Sequence, residues 1–336
     1  MKRCIYCLNE KDESLFNREH VVPEAFGTFK GNLVLDCVCQ SCNSFFSKEL
    51  DLKLARDTIE GLERFKSGLK QPQEFKSLGK RSTSRVEIVQ DGPMKGVICE
   101  MRPKSDYPGF DIEPLPQIGL SNNEDGPFDF FLLDELPAKD ELEKMGYAPG
   151  SEVFMRVWGT TLDEAISRLE PRGVQKGEEL GQTMPDKGVV KSEYVFRISH
   201  PEFRAVTKIA MNYLAYVAGA GIVLMPQFNE ARRYVTDGVR PSEQIVSIIP
   251  VVHFTRQSTD QKMTAHFVSI ERRGMLIVAQ VSLLCLIRYA IVLSRAPFAL
   301  EFTLNSGHLF DLDRRQVTTF NPPQLWIAEK YSARHR

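Results

Sequence analysis

The apolar positions of the first part of the chain change period twice, and each change marks an element. LFNREHVVP has the apolar character of a short strand that stops at Pro23, a residue without the N–H a ladder needs. EAFGTFKGN, with two glycines, reads as the loop of an extended hairpin, and NLVLDCVC as the returning strand. From Ser41 onward Phe46, Leu50 and Leu54 recur at helical spacing, which predicts a helix with Asn43 in its first turn. Asp57-Thr58-Ile59-Glu60 has capping-box spacing and opens a second helix ahead of Leu62 and Phe65.

Further along, RVEIVQ, GVICEM, FDFFLL and EVFMRVWG are strand-like, and Thr161 to Leu169 reads as a short helix. A longer helix is predicted from His200 to about Ala218, announced by Ser199 and Pro201. Phe203, Val206, Ile209, Ala210, Tyr213, Leu214 and Val217 form its core-facing stripe. HFVSIERRGMLIVAQ predicts a hairpin turning at Arg272-Arg273-Gly274, and LIRYAIVLS continues it as an antiparallel meander. GMLIVAQVSLLCLIRYAIVL is apolar enough to raise a membrane span, but Gln280, Ser282 and Arg288 interrupt it and β-branched residues dominate. Buried strands follow, and no membrane partner.

At 336 residues and 42% apolar, the chain can bury a sizeable core. The pattern predicts an α+β protein: a small ββα module over 1–70, a basic linker over 71–85, and a larger mixed domain with antiparallel strands over 86–336. That last domain would serve recognition, regulation or oligomerisation, as a homo-oligomer or with a regulatory partner. A net charge of −1 excludes a protein coated in base, so any nucleic-acid surface must be local. From Arg64 to Arg85 seven basic residues face one acidic, whereas from Asp106 to Glu143 eleven acidic residues face one lysine. The first stretch is a candidate for phosphate contacts and the second reads as a solvated face.

The chemistry starts with cysteine. Cys4 and Cys7 in CIYC, and Cys39 and Cys42 in CQSC, form two knuckles, the pattern of one tetrahedral structural zinc site. Cys37, Cys99 and Cys285 are left over and read as small core residues. Thiols used for metal, and no apolar run in residues 1–20, point to a cytoplasmic protein.

EHVVP, GNLVL and CQSCN, in that order and with Cys-x-x-Cys-Asn fused to a helix start, resemble the HNH (ββα-metal) endonucleases of the four-cysteine zinc type. The resemblance covers roughly residues 1–70. It implies metal-dependent hydrolysis of DNA, duplex favoured and RNA not excluded, in restriction, phage defence or a mobile element. His20 is then the general base, since an imidazole titrates near neutrality. Glu19 and Asn43 are hard oxygen donors suited to a catalytic Mg²⁺ or Mn²⁺. Asn32 resembles the motif's central asparagine, which holds the loop and fixes the imidazole. Arg18, Lys66, Lys70, Lys76, Lys80 and Arg81 are candidate nucleic-acid contacts. The chain carries Glu19 where many family members have Asp, and Phe46 and Ser47 where others add a histidine. The alternative is a non-catalytic, zinc-stabilised nucleic-acid-binding or assembly protein.

Overall fold

The computed structural model describes residues 1–56, 58–69, 84–88, 94–104, 110–175, 177–178, 181, 192–196, 198–251, 263–295 and 304–322. The chain divides into two units, Met1–Lys70 with Ile198–Arg336, and Gln71–Arg197. The sequence suggests one domain over 86–336, but the segment from Ile198 packs with the first seventy residues instead. The reason is that the small module cannot bury its own apolar faces.

In the N-terminal part, β1 (Lys2–Arg3) pairs antiparallel with β2 (Glu10–Lys11) on either side of the first knuckle. β3 (Glu19–His20) pairs with β4 (Val34–Leu35), His20 opposite Val34 and Glu19 opposite Leu35. Successive strand side chains point to opposite faces. Glu19 is accordingly buried and His20 only half-buried. The strand ends at His20, short of the Pro23 the sequence suggests, and Pro23 opens a 3-10 turn over Glu24–Phe26 inside the loop. Cys39 starts α1 (Gln40–Phe46), which runs through a π turn at Ser47–Asp51 into α2 (Leu52–Arg56). Phe46, Leu50 and Leu54 are buried, as their spacing predicts. Thr58 caps α3 (Ile59–Lys66) by accepting from the Gly61 N–H at 3.2 Å.

The second unit holds two antiparallel sheets. One orders β11 (Ser192–Phe196), β5 (Ser84–Ile88), β6 (Ile98–Pro103) and β7 (Phe110–Pro114). The other orders β10 (Phe154–Trp158), β8 (Gln117–Ser121) and β9 (Asp129–Leu132). α4 (Lys139–Lys144) and α5 (Leu162–Leu169) bury Leu142, Ala165 and Leu169 with Ile118 and Leu120 of β8.

The first unit resumes with α6 (His200–Ala218), which starts where Ser199 and Pro201 announce it, with the Ser199 N–H and hydroxyl donating to the Glu202 carboxylate. α7 (Ala220–Val223) and α8 (Asn229–Asp237) follow. A six-stranded antiparallel sheet then orders β12 (Val246–Ile249), β15 (Ile287–Ser294), β14 (Leu276–Leu283), β13 (Ala265–Arg273), β16 (Asn305–Asp311) and β17 (Gln316–Phe320). Gly274, at φ +58°, makes the hairpin turn between β13 and β14. This is the mixed α+β architecture with antiparallel strands read from the sequence. Among the described residues no helix is long and apolar enough to cross a membrane.

Polar contacts fasten the ββα module to this sheet and its helices. Lys30 exchanges backbone hydrogen bonds with the β16–β17 turn, donating to Arg315 O at 2.8 Å and accepting from Val317 N at 3.1 Å. Arg232 donates to Ile5 O at 2.7 Å, and Tyr289 to the buried Glu60 carboxylate at 2.7 Å. His266, fully buried, accepts from Leu284 N at 2.9 Å and donates to Phe26 O at 2.8 Å. Burial pushes the His266 imidazole down from 6.5 to about 4. The folded protein therefore holds this ring neutral where the unfolded chain would protonate it. Stability is present above pH 6.5 and is lost as pH falls toward 4. The expected loss is about 3 kcal/mol across that window, read from urea titrations of the first unit. A folded His266→Gln variant should lack this part of the slope; equal slopes in both proteins would sink the assignment.

Candidate functional site

The four cysteines of the two knuckles converge. Their sulfurs all lie within 4.8 Å of one another, with Cys4 to Cys42 at 3.9 Å and Cys7 to Cys39 at 3.8 Å. A tetrahedron of thiolates about 2.3 Å from zinc has edges of about 3.8 Å, so the cage is built to size for a structural metal such as zinc. The backbone N–H of Cys39 donates to the Cys4 sulfur at 3.4 Å, and Lys11 Nζ reaches the Cys39 sulfur at 3.2 Å and Ser41 Oγ at 2.8 Å. Four thiolates exceed a dication's charge by two, and the Lys11 ammonium offsets part of the excess. Cys37, the third thiol of CVCQSC, lies outside the cage and is buried, which pushes its thiol up to about 11. Cys99 and Cys285 are buried too. This is the only such cluster among the described residues.

β3, the loop after it and the start of α1 bring the remaining motif residues to one end of the module. His20 Nδ1 lies 3.2 Å from Glu24 Oε1, and 15% of the His20 side chain is open to solvent. A carboxylate beside Nδ1 favours the tautomer with its proton there and Nε2 as the acceptor, the orientation a general base needs. Glu24 was not singled out in the sequence, although it stands one turn beyond His20 in EHVVPE. Asn32 Oδ1 accepts from Leu33 N at 3.1 Å and its own N–H donates to Phe29 O at 3.2 Å, so it braces the loop. Asn43 Nδ2 donates to Asn17 Oδ1 at 3.0 Å and to Arg18 O at 3.1 Å, which ties the helix start to the strand and turns its hard oxygen the other way.

Glu19 is placed differently. Its Oε1 accepts from Lys208 Nζ at 2.5 Å and from Asn212 Nδ2 at 2.9 Å, both on α6. The Glu19 side chain is 4% exposed and that of Lys208 1%. Lys208 also grips Asp51, at 2.8 Å to Oδ2 and 3.1 Å to Oδ1, at the end of the π turn. Asn212 is fixed in turn by Tyr6, whose hydroxyl donates to Asn212 Oδ1 at 2.7 Å. The structure thus brings Glu19 together with Lys208, Asp51 and Asn212. Its Oε1 is engaged by the Lys208 ammonium, whereas the Asn43 amide bonds Asn17 and Arg18.

The candidate nucleic-acid contacts are scattered. Arg18 is exposed and lines an open cavity of 440 Å³ with Val34, Asp36 and Tyr216. Lys66 is exposed and lies 3.5 Å from Glu63. Lys70, Lys76, Lys80 and Arg81 lie outside the described residues, as does most of the basic linker. Arg64, in the same basic run, is buried and donates to the carbonyls of Ala25 and Ala55.

Residues 4–59 match the family model described as HNH endonuclease. The N-terminal segment is an HNH module. Its four-cysteine cage agrees with the zinc-binding type of that family. The match supports a nuclease-type hydrolase as the general class of this segment. No curated protein and no solved structure matches the chain.

Proposed function

We propose that the HNH module hydrolyses phosphodiester bonds in DNA, with the four cysteines holding a structural zinc and His20 as the general base. The observation that carries the reading is the 3.2 Å approach of Glu24 to His20 Nδ1, which leaves Nε2 to take a proton from water. The water oxygen attacks phosphorus as its proton passes to Nε2, the P–O bond to the 3′ oxygen breaks, the leaving 3′ oxygen takes a proton from solvent, and the imidazolium formed is stabilised by the Glu24 carboxylate. Asn32 and Asn43 brace the loop and the helix start that frame the imidazole. Arg18, beside the site, and the basic residues from Lys66 to Arg81 would meet phosphates. The divalent ion of the family, Mg²⁺ or Mn²⁺, does not fit on Glu19 Oε1 while Lys208 is bonded there. A cytoplasmic role in restriction, defence or a mobile element accords with such an activity.

The same Lys208 contact favours a second reading, a zinc-stabilised nucleic-acid-binding or assembly module without catalysis. The two diverge at His20. Zinc-matched wild type and His20→Ala would be incubated with supercoiled plasmid and, separately, with RNA, with and without added divalent ion. Hydrolysis by His20 requires a loss of ~10²-fold or more in rate in the variant with binding retained. A wild type that binds nucleic acid, cuts neither substrate, and is indifferent to the substitution leaves the binding reading standing.

A further inference from the structure

We infer that Lys208 of α6 is the resident cation of the HNH module, occupying on Glu19 and Asp51 the place a divalent metal would take. The inference concerns which cation sits on Glu19 and stands apart from whether the HNH module cuts nucleic acid.

Two observations build it. The ammonium is buried and its three close oxygens, Glu19 Oε1 at 2.5 Å and Asp51 Oδ2 and Oδ1 at 2.8 and 3.1 Å, come from two carboxylates. An ammonium has three protons and no acceptor, so this set saturates it. Asn212 donates to the same Glu19 Oε1 and is itself locked by Tyr6, which fixes that oxygen against the ammonium.

The arrangement has the donor chemistry of a hard-cation site. Two carboxylates around one point supply the hard oxygen donors Mg²⁺ or Mn²⁺ prefers. Here the positive charge is built into the chain and arrives from a residue far along it, on the apolar helix that also supplies the core under the HNH module. A lysine cannot be removed by chelation or exchanged. An incoming ion would have to expel a buried, triply bonded ammonium into an apolar surround that includes the Phe46 ring, 5.9 Å from Nζ.

The test reads metal binding and not cleavage, so failure of the nuclease proposal would leave it intact. Full-length, zinc-loaded protein is titrated with Mn²⁺ and free ion is followed by electron paramagnetic resonance, in wild type, Glu19→Gln, Lys208→Ser and the double variant. Wild type and Glu19→Gln should give superimposable isotherms. Lys208→Ser should gain one Mn²⁺ site, absent from the double variant. One Mn²⁺ bound by wild type and lost in Glu19→Gln overturns the inference, as does a folded Lys208→Ser protein that gains no site. Should Lys208→Ser fail to fold, the comparison of wild type with Glu19→Gln decides alone.

Discussion

Stripping the metal from the four-cysteine cage, or replacing Cys39 by serine, is expected to unfold the edge of the HNH module around β1, β2 and the start of α1. Structural zinc in small fingers supplies roughly 10–16 kcal/mol of apparent binding free energy, and that energy is folding energy when the apo chain has no site. Here the cage joins two segments more than thirty residues apart. The loss should be local. Ile5, Tyr6, Val38 and Phe46 belong to the same core as α6 and the six-stranded sheet, so the apo protein keeps that sheet. Hydrogen exchange checks this directly, alongside a metal assay on the same sample. Protection should vanish over 2–11 and 37–46 and persist in β13 to β16. Unchanged protection at the knuckles after complete metal removal would show the cage to be dispensable, and collapse of the sheet would show the reach of the metal to be underestimated.

The second large effect is Lys208→Met. Removing one partner of a buried ion pair leaves an uncompensated charge and costs about 3–5 kcal/mol. Two carboxylates depend on this ammonium, one of them buried, which puts the expectation at the upper end of that range. Glu19→Gln in the Lys208→Met background should recover part of the loss, because a neutral amide no longer needs a counter-charge and can still accept from Asn212. Since the chain has two units, the readout must be specific to the first, such as exchange at the α6 amides rather than a single melting curve. Additive losses in the double variant would mean that the two residues stabilise the fold independently.

Much of the architecture was legible because its signals are local. The α6 boundaries, the hairpin turn at Gly274 and the buried Phe46, Leu50 and Leu54 follow from capping residues and apolar period. The cage was legible because a Cys-x-x-Cys knuckle is itself a local structure and two of them have one economical use. The Lys208 contact left only a faint trace: a lysine and an asparagine four apart on a helix whose residues from Ala205 to Ala215 are buried on every side. A helix apolar all round is a buried helix, and a lysine within it must be paired. That argument gives the need for a partner but not its identity.

The sequence by itself determined which residue types stand at the motif positions: four thiols at knuckle spacing, an imidazole next to a carboxylate on a strand, and an asparagine at a helix start. Tertiary structure alone decided what each of them faces. β3 turns Glu19 inward and leaves His20 half-open because strand side chains alternate, and α6 meets the inward face because the HNH module has too little apolar surface of its own to cover it. Which cation sits beside a carboxylate is settled by what the fold packs against it, and Lys208 lies 189 positions from Glu19, beyond the reach of any local pattern.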